Sequence, residues 1–472
     1  MSDFNIAYYT ARELSKKIES KEISPVEATQ SYLDRIETLD KKLNSYITVS
    51  REEALSAAHR AEREIISGQY RGPLHGIPVA VKDQLLTKDI QTTAGSEILR
   101  GWIPERDATC IVKLKDAGAV VIGKTNMTEY AITTNHNFPY GIPLNPWDPT
   151  RYTGSSSGGS AAATAAFLCA TSLGEDTGGS VRGPASFCGL AGLRPTWGLV
   201  SRYGLLAASW SMDTVGPISR TVEDCAMTLQ AISGYDPLDP YTWKIAVPDY
   251  LSSLSGDIRD VKIGVVKERL HTDDVDIEVR TTVEAATDVL KQLTKFVEEI
   301  SLPDIVHCAT YSMTIGLVEG AAVHRNIIRN HSHMYQRELR LVNLVGSLIP
   351  AQTYYKAQQL RGVWRERLLK VLESYDVLVY PTSPSTAPKV PPPTGLQNRA
   401  DAKADLYGRR SFTHPVNLAG CPALSVNCGF NSEGLPVGLQ IIGRPGEDST
   451  VLNVGYAYQE ATDWHKRRPV IS

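Results

Sequence analysis

The amino-acid sequence predicts an α/β fold in which helices cover both faces of a central β-sheet, whose strands are mostly parallel or mixed. Short β-branched runs at 77–81 and 119–122 each follow a helical segment, and this alternation is typical of an α/β sheet. The chain has 472 residues, a length that allows one large domain or about two to three ordinary ones. No internal repeat is evident in it. We therefore expect one continuous domain over 1–472.

The N-terminal segment, 1–70, is expected to be helical because three helix starts can be read in it. Thr10–Glu13, Ser24–Glu27 and Ser50–Glu53 each have the capping-box spacing, in which a hydroxyl accepts a backbone N–H and the glutamate reaches back to the cap. Pro25 then occupies a first helical position, where a missing N–H costs nothing. A glycine shortly after the third helical pattern, Gly68, is expected to end it.

The later elements follow the same alternation. We expect helices at 107–117, 160–169, 221–233, 276–293, 353–373 and 449–461, and strands at 171–173, 262–266, 376–380, 423–428 and 435–442, of which the last two form a hairpin. The segment 235–375 has the loosest pattern and shows little obvious chemistry. We expect this segment to shape the access of a substrate.

The composition is that of a soluble globular protein. Hydrophobic residues make up 42% of the chain, charged residues 21%, and the formal net charge is −3. This balance argues against direct nucleic-acid binding, and no window has the length and apolarity of a membrane span or of a signal peptide. The seven cysteines are spaced singly without a CxxC pair, which indicates reduced thiols in a cytoplasmic protein.

The most distinctive stretch is 153–189, in which Gly154–Ser160 and Gly178–Ser180 form two clusters of glycine and serine around an alanine-rich segment. Such clusters occur in linkers, in phosphate-binding loops and around catalytic serines. The embedded helix and strand argue against a linker. No lysine follows in Walker order and no GxGxxG spacing is present, which argues against phosphate binding. We therefore favour a serine nucleophile whose oxyanion is bound by backbone N–H groups.

Lys82 is a further candidate functional residue, because it directly follows the apolar run PVAV and precedes Asp83. The ordinary alternative is a surface lysine. At the end of a buried strand, however, the ammonium group is partly removed from water, and this removal lowers the pKa of a lysine.

Several of these motifs together resemble the amidase signature family. They are GIPVAVKD around Lys82, the cluster GSSSGGSAAA, the segment GEDTGGSVRGPASFCGLAGLRPT and the later SMDTVGPISRTVED. The resemblance continues through NPWD, CPALSV and GLPVGLQIIG, so that it covers both ends of the chain and leaves 235–375 without a match. Members of this family hydrolyse amides with a Ser-Ser-Lys triad in a single α/β domain.

The resemblance implies a role for three residues. Ser180 is expected to be the nucleophile, Ser156 the bridging serine that relays its proton, and Lys82 the base. The spacing between the two serines agrees with the family pattern and selects Ser156 over its neighbours. The family places a cis peptide bond before the bridging serine, here between Ser155 and Ser156. Ser155 stands where the family usually has glycine.

The resemblance also implies an oxyanion hole, formed by the consecutive backbone N–H groups of Thr177, Gly178, Gly179 and Ser180. Asp176 and Arg182 flank this turn, and we expect them to pair and brace it. The alternative for these two residues is a surface ion pair, which would contribute little to stability.

Four aromatic residues are candidates for the substrate pocket, and they could equally belong to the core: Tyr130, Phe138, Tyr140 and Trp210. Two other features are set aside. His331 and His333 could be metal ligands, but no carboxylate or cysteine is spaced to complete a site. Cys188 could be a nucleophile, but a free cysteine beside small residues more often packs in a core.

The resemblance therefore implies an amidohydrolase that needs no cofactor and no metal. Such an enzyme would cleave a carboxamide or anilide of a small molecule through an acyl-enzyme, and relatives often form homodimers. The alternative is the glutaminase subunit of a tRNA-dependent amidotransferase, to which the N-terminal segment and RYGLLAASWSMDTVGP are close. The middle, around LRLVNLVGSLIPAQTYYKAQQLRG, departs from that subunit, so the stand-alone enzyme is preferred. A catalytically inactive binding module is disfavoured, because all three triad residues are retained.

Overall fold

The structure is a computed structural model, and it describes residues 6–132, 138–390, 408 and 410–471. The strands are β1 (Tyr46–Val49), β2 (Pro78–Lys82), β3 (Val120–Thr125), β4 (Leu144–Asn145), β5 (Asp148–Tyr152), β6 (Thr171–Glu175), β7 (Ala191–Arg194), β8 (Val215–Ser219), β9 (Lys262–Val266), β10 (Phe296–Ile300), β11 (Val377–Pro381), β12 (Ala423–Phe430) and β13 (Pro436–Gly443).

The α-helices of the same part of the chain alternate with these strands. They are α1 (Ala11–Glu19), α2 (Pro25–Leu43), α3 (Arg51–Ile66), α4 (Thr109–Asp116), α5 (Gly158–Ala165), α6 (Arg182–Cys188), α7 (Val222–Ile232), α8 (Ile277–Leu293), α9 (Cys308–Val323), α10 (Arg325–His331), α11 (Arg337–Leu348), α12 (Ala351–Leu372), α13 (Arg410–Ala419) and α14 (Asp448–Glu460).

Eleven of the strands form one sheet, in the order β1-β3-β2-β6-β8-β7-β12-β13-β11-β9-β10, and the short strands β4 and β5 pair separately. Parallel pairs occur on the two flanks, where β2 lies between β3 and β6 and where β9 lies between β10 and β11. The strands between the flanks pair antiparallel. The sheet is therefore mixed, which is one of the two forms expected from the sequence, and it is not the mostly parallel form.

Helices cover both faces of this sheet, as the sequence predicts. Successive residues of a strand point to opposite faces. In β12, the side chain of Leu424 packs against Gly455 of α14, whereas the hydroxyl of the next residue, Ser425, lies beside Gly438 on the face where Ser186 of α6 packs. The helices α14 and α6 thus lie on opposite sides of the same pair of strands.

Two of the three expected capping boxes are present. Thr10 and Ser24 each accept the N–H of the glutamate three residues later, and each glutamate accepts the N–H of the cap. Ser50 does not cap α3, although the helix begins at the next residue. Its hydroxyl instead donates to the carbonyl of Val121 in β3, at 3.3 Å. A hydrogen bond to the sheet therefore replaces the expected capping bond at the start of α3.

Most other boundaries agree with expectation to within a few residues, and the hairpin of β12 and β13 is confirmed. The helix expected at 160–169 is shorter, because α5 ends at Ala165 and Phe167 adopts a positive φ of 59° before β6 begins. The segment 235–375 is more regular than its sequence indicates, since it holds two strands and five helices in the described residues. Its helices α9 and α12 pack on each other and on α13.

The hydrophobic core runs along the sheet, and all seven cysteines are buried free thiols, six of them in this core and Cys188 in a smaller cluster with residues of α5 and α6. Among the helices in the described part of the chain, none is both long and apolar enough to cross a membrane.

Candidate active site

The predicted base and the glycine-rich loop meet at one edge of the sheet because of strand register. Strands β2 and β6 are parallel neighbours, with Val81 opposite Leu173, so their carboxyl ends, Lys82 and Glu175, reach the same edge. Strand β8 runs antiparallel to β6 and pairs Val215 with Glu175. Asp213 precedes β8 by two residues and therefore approaches the same edge from the other side.

Lys82 is fully buried, with no exposed surface. Its Nζ lies 2.6 Å from the hydroxyl of Ser156, 3.2 Å from the carboxylate of Glu175 and 3.3 Å from the carbonyl oxygen of Glu175. Burial lowers the pKa of Lys82, and the charge of Glu175 partly opposes this change. A lysine with a lowered pKa is neutral for more of the time, and only a neutral lysine can accept a proton.

Ser156 lies in the turn that precedes α5, and the peptide bond between Ser155 and Ser156 is cis, as expected. The turn is held by close backbone packing. Gly154 has a φ of 88°, and a Cβ on it would lie 2.9 Å from backbone atoms of Pro184. The next serine, Ser157, donates to the carbonyl of Glu175 and accepts its N–H, at 3.1 and 3.2 Å. These bonds fix the turn to the end of β6.

Ser180 is half-buried and lies on the wall of a cavity together with Ser155 and Gly154. Among the described residues, the hydroxyl of Ser180 makes no hydrogen bond. The structure thus joins Lys82 to Ser156 by a direct hydrogen bond and places Ser180 on the cavity wall beside the same turn.

The loop from Thr177 to Ser180 presents its backbone to the same cavity. The N–H of Gly179 donates to the carboxylate of Asp176 at 2.8 Å, so one of the four expected oxyanion donors is already engaged. The N–H groups of Thr177, Gly178 and Ser180 make no hydrogen bond within the described part of the chain. These three remain the candidates for binding an oxyanion.

Asp176 and Arg182 form an ion pair that is completely buried, with Nε–Oδ2 and Nη2–Oδ1 distances of 3.1 and 3.0 Å. Burial alone would raise the pKa of Asp176, but Arg182 and Arg194 lower it far below its usual range. The carboxylate also accepts an N–H of Asn417 at 2.7 Å. The pair therefore belongs to a buried network under the loop and is not a surface ion pair.

Arg182 extends this network to α13 and β13. It donates to the carbonyl of Thr413, the amide oxygen of Asn417 and the amide oxygen of Gln440, at 3.2, 2.6 and 2.5 Å. The hydroxyl of Thr413 in turn donates to the carbonyl of Gly178, at 2.6 Å. The loop that carries Ser180 is therefore stabilised by the Asp176–Arg182 ion pair and by hydrogen bonds to residues of α13.

The four aromatic residues expected in the substrate pocket do not line the cavity. Tyr130 packs edge-on against His324 and Tyr335, Tyr140 lies under the guanidinium of Arg100, and Phe138 is buried elsewhere. Trp210 is 52% exposed and stacks on Arg202. The expectation that these four aromatic residues line the substrate pocket is therefore not met at this cavity.

The cavity is lined instead mostly by small, apolar and hydroxyl-bearing residues, together with two basic ones, Arg410 and His414. Besides the loop residues and Phe187, they include Ala131, Ile132, Ala208, Ser209, Met212, Ser312, Met313, Gly316, Leu317, Val342, Thr382, Ser383, Arg410, Thr413 and His414. Burial and the neighbouring Arg410 and Arg182 lower the pKa of His414 to about 3, so this imidazole is neutral at neutral pH. Several of these residues come from the segment 235–375, which carries no recognisable motif.

Two acidic residues at the site, Glu175 and Asp213, were not expected from the sequence, although both lie in motifs that carry the family resemblance. The sequence shows both acidic residues, each in a segment that ends at the same sheet edge as Lys82. It does not show that they lie close to Lys82, because this proximity depends on strand order. His331 and His333 contact each other, and the described residues contain no group of three or more histidine, cysteine or acidic side chains suited to a metal ion. Burial raises the pKa of Cys188, which makes it a poor nucleophile.

The described residues thus bring a buried lysine, Lys82, into a hydrogen bond with Ser156 beside a glycine-rich loop whose N–H groups are partly unbonded. A family model described as Amidase matches residues 27–452. The chain belongs to this family, whose members are the amidase signature enzymes.

Relatives of known name support the same placement. The chain is 42% identical to a glutamyl-tRNA(Gln) amidotransferase subunit of Synechococcus sp. (strain JA-2-3B'a(2-13)), over 97% of this chain and 93% of the relative. Among solved structures, the corresponding amidotransferase subunit of Thermotoga maritima is 34% identical with a TM-score of 0.83, covering all of both chains. A peptide amidase from Stenotrophomonas maltophilia is 30% identical with a TM-score of 0.85, covering 98% of both chains.

Proposed function

We propose that this protein hydrolyses the C–N bond of a carboxamide through an acyl-enzyme on Ser180, with Ser156 and Lys82 carrying the proton. The observation that carries this proposal is the 2.6 Å hydrogen bond between the buried Nζ of Lys82 and the hydroxyl of Ser156, beside the cavity that Ser180 lines. A serine hydroxyl is unreactive at neutral pH unless a base removes its proton. Lys82 is such a base when it is neutral.

In the first half of the reaction, Ser180 Oγ attacks the carbonyl carbon of the amide and passes its proton to Ser156, while Ser156 passes its own to Lys82. Backbone N–H groups of Thr177, Gly178 or Ser180 hold the oxyanion of the tetrahedral intermediate. The C–N bond then breaks, and the proton returns from Lys82 through Ser156 to the departing nitrogen. In the second half, water attacks the acyl group, gives a proton to the same relay, and the acid leaves as the Ser180 hydroxyl is restored.

The role of the loop brace follows from this mechanism. Each donor to an oxyanion typically contributes about a hundred- to a thousand-fold in rate, provided that it is held at the correct distance. Asp176 and Arg182 hold the loop but are not among the residues that line the cavity, and both side chains are fully buried. We assign them a bracing function and not a direct one.

For the substrate, the relatives favour glutamine. Relatives from Synechococcus, Thermosynechococcus and Trichormus all carry the name of the same glutamyl-tRNA(Gln) amidotransferase subunit, and they match over 93% or more of their length. The proposed function therefore shifts towards the glutaminase subunit, which was the alternative expected from the sequence. In that role the chain would release ammonia from glutamine for a partner subunit, in the cytoplasm, where buried free thiols are stable.

The stand-alone amidase is the second candidate, and the cavity favours it. Free glutamine carries an α-ammonium and an α-carboxylate group, which a binding site would ordinarily match with an acidic and a basic side chain. Among the described residues that line the cavity, Arg410 is basic but none is a carboxylate, and the lining from α9 is Met313, Gly316 and Leu317. Such walls suit the apolar body of an acyl group. The segment 235–375 would then select the acyl group.

One assay separates the two candidates. The purified chain is incubated with glutamine, aliphatic amides and aryl anilides, and the release of ammonia or amine is measured for the chain alone and for the chain with its amidotransferase partner subunits. Glutamine turnover that appears or rises on adding the partners supports the glutaminase role. Turnover of an apolar amide by the chain alone supports the stand-alone enzyme. Turnover that is equal in a Ser180→Ala variant contradicts both.

A further inference from the structure

Two buried carboxyl groups lie beside Lys82 and have no role in the proposed relay. Glu175 and Asp213 are 0% and 1% exposed. One oxygen of Glu175, Oε2, lies 3.2 Å from Nζ of Lys82. The other oxygen, Oε1, lies 2.6 Å from the hydroxyl of Thr177, which is also 2.8 Å from Oδ1 of Asp213. A continuous chain of contacts therefore runs from Lys82 to Asp213.

The contacts of Lys82 define how its amine is oriented. A neutral lysine has two N–H bonds and one lone pair. The carbonyl oxygen and the carboxylate oxygen of Glu175 are acceptors only, whereas the hydroxyl of Ser156 can donate. If both N–H bonds point to Glu175, at 3.3 and 3.2 Å, the lone pair points to Ser156 at 2.6 Å. This is the arrangement in which Lys82 can accept a proton from Ser156.

The contacts of Thr177 define where a proton lies. Its hydroxyl has one proton and two neighbouring carboxyl oxygens, so both contacts are hydrogen bonds only if one carboxyl group is protonated. The Thr177 hydroxyl donates across the shorter contact, to Glu175, and then accepts a proton that Asp213 holds. Burial and the charge of Glu175 raise the pKa of Asp213, in the direction of a protonated group, and the N–H groups of Ala208 and Ser209 that donate to its carboxylate only partly oppose this.

The remaining charged groups around this cluster come from three elements. Asp176 follows Glu175 directly, Arg194 ends β7 and donates to the carbonyls of Asp176 and Met212, and Arg182 pairs with Asp176. With Lys82 neutral and Asp213 protonated, two arginines balance Asp176 and Glu175, and the buried cluster carries no net charge. Such a balance is required of charges that are removed from water.

We propose that Glu175 is a positioning residue for the proton relay: its carboxylate and carbonyl orient the amine of Lys82 towards Ser156, and a proton held on Asp213 across Thr177 limits the negative charge beside that amine. This inference rests on the proposed function, since it concerns the same relay. It assigns roles beside the relay to two further side chains, those of Glu175 and Asp213.

The two effects of Glu175 can be separated by two substitutions. In Glu175→Gln the amide oxygen can still accept an N–H of Lys82 and the amide NH₂ can donate to Thr177, so the orientation is kept while the charge is removed. In Glu175→Ala the charge and the side-chain acceptor are both lost, and only the backbone carbonyl of residue 175 still orients the amine. Glu22→Gln is the matched control, because Glu22 forms a lysine–glutamate pair with Lys17 on the surface.

The measurement is the rate constant for labelling of Ser180 by a fluorophosphonate, followed by intact mass as a function of pH. In this reaction the Ser180 Oγ–P bond forms, the P–F bond breaks and fluoride leaves, while the proton of Ser180 enters the relay. No knowledge of the natural substrate is needed. Labelling requires neutral Lys82, so the rate falls as pH drops through the pKa of Lys82.

Glu175→Gln is expected to move this acidic limb to lower pH by about one unit or more, because an opposite charge in contact with a lysine favours its charged form. Its plateau rate stays within about tenfold of wild type. Glu175→Ala is expected to lose more than tenfold at the plateau, and Glu22→Gln matches wild type. An unshifted limb in Glu175→Gln, or equal plateaus for the Gln and Ala variants, would overturn the inference.

The Ser180→Ala variant makes a failure of this inference distinguishable from a failure of the proposed function. If Ser180→Ala is labelled as fast as wild type, the nucleophile is wrong and the proposed function fails. If Ser180→Ala is unlabelled but Glu175→Gln leaves the limb in place, only the role of Glu175 fails. Thermal unfolding of each variant identifies a loss of rate that comes from misfolding.

Discussion

Removing the guanidinium of Arg182 is predicted to destabilise the fold strongly, and Arg182→Met tests this because methionine keeps an unbranched side chain. Arg182 and Asp176 are both fully buried and share two hydrogen bonds. Breaking a buried pair by removing one partner costs about 3–5 kcal/mol. An exposed pair typically contributes about 0–1 kcal/mol. The free energy of unfolding therefore distinguishes a buried Asp176–Arg182 pair from the surface ion pair that the sequence also allowed.

The loss in Arg182→Met is expected at the upper end of that range. The guanidinium also donates to Thr413, Asn417 and Gln440, and each buried acceptor that loses its donor costs about 1–3 kcal/mol. These contributions are not additive, because Asp176 keeps bonds to Asn417 and to the N–H of Gly179. A net loss of about 4–5 kcal/mol is a large part of the stability of an ordinary domain, which is about 5–15 kcal/mol.

The assay is equilibrium unfolding in urea, compared for wild type, Arg182→Met, Asp176→Asn and the double variant. The double-mutant cycle isolates the pair, because the two residues are in contact. Arg259→Met is the control: Arg259 pairs with Asp257 on the surface, and this variant is expected to unfold at the wild-type urea concentration. If Arg182→Met costs less than about 1 kcal/mol, the brace contributes no more than a surface pair and the prediction is refuted.

Three further outcomes follow from the structure. Gly179→Ala is expected to reduce the rate of hydrolysis at least about tenfold, because Gly179 has a φ of 117° and a Cβ would overlap the side chain of Thr413. Gly362→Ala is the control, because Gly362 is exposed on α12, outside the cavity, and its Cβ would meet nothing within 4 Å; equal rates for the two variants would contradict this prediction. Lys82→Met is expected to lose activity by at least about a hundred-fold and to lose the acidic limb of its pH profile, since the base is removed; an unchanged profile would make the lysine structural. Treatment with a chelator is expected to leave activity unchanged, and a loss that added metal restores would contradict a relay built only from side chains.

The sequence predicted those parts of the fold that depend on local interactions. Thr10 and Ser24 form capping boxes because their partners lie within one helical turn. Ser50 has the same spacing, but its hydroxyl bonds to Val121 in β3, and no local rule contains that strand. The end of α5 was missed for a related reason: Phe167 adopts a left-handed backbone conformation with a φ of 59°, which helix propensity does not predict.

The candidate site divides in the same way. Lys82 and Ser156 are recognisable because they lie in motifs with a defined spacing, and the structure brings them to 2.6 Å. Glu175 and Asp213 became neighbours of Lys82 only through the order and direction of β2, β6 and β8. Aromatic residues such as Trp210 were candidates by type alone, and type does not determine whether a side chain faces a cavity or solvent.

The walls of the cavity were the least predictable part. Met313, Leu317 and Val342 come from α9 and α11, in the segment where the sequence has no motif. Their side chains reach the catalytic loop because α9 packs on both α11 and α13. Helix packing of this kind depends on the complete three-dimensional arrangement, and one sequence without its structure does not define it.

The central claim is that Ser180 forms an acyl-enzyme, and intact-mass spectrometry tests it most directly. Wild type and Ser180→Ala are each incubated with glutamine, aliphatic amides and aryl anilides, quenched in acid, and mapped by proteolysis. We expect one acyl adduct per chain on the peptide that contains Ser180, with product release, in wild type only. An adduct on another residue, or the same adduct and product in Ser180→Ala, would contradict the claim.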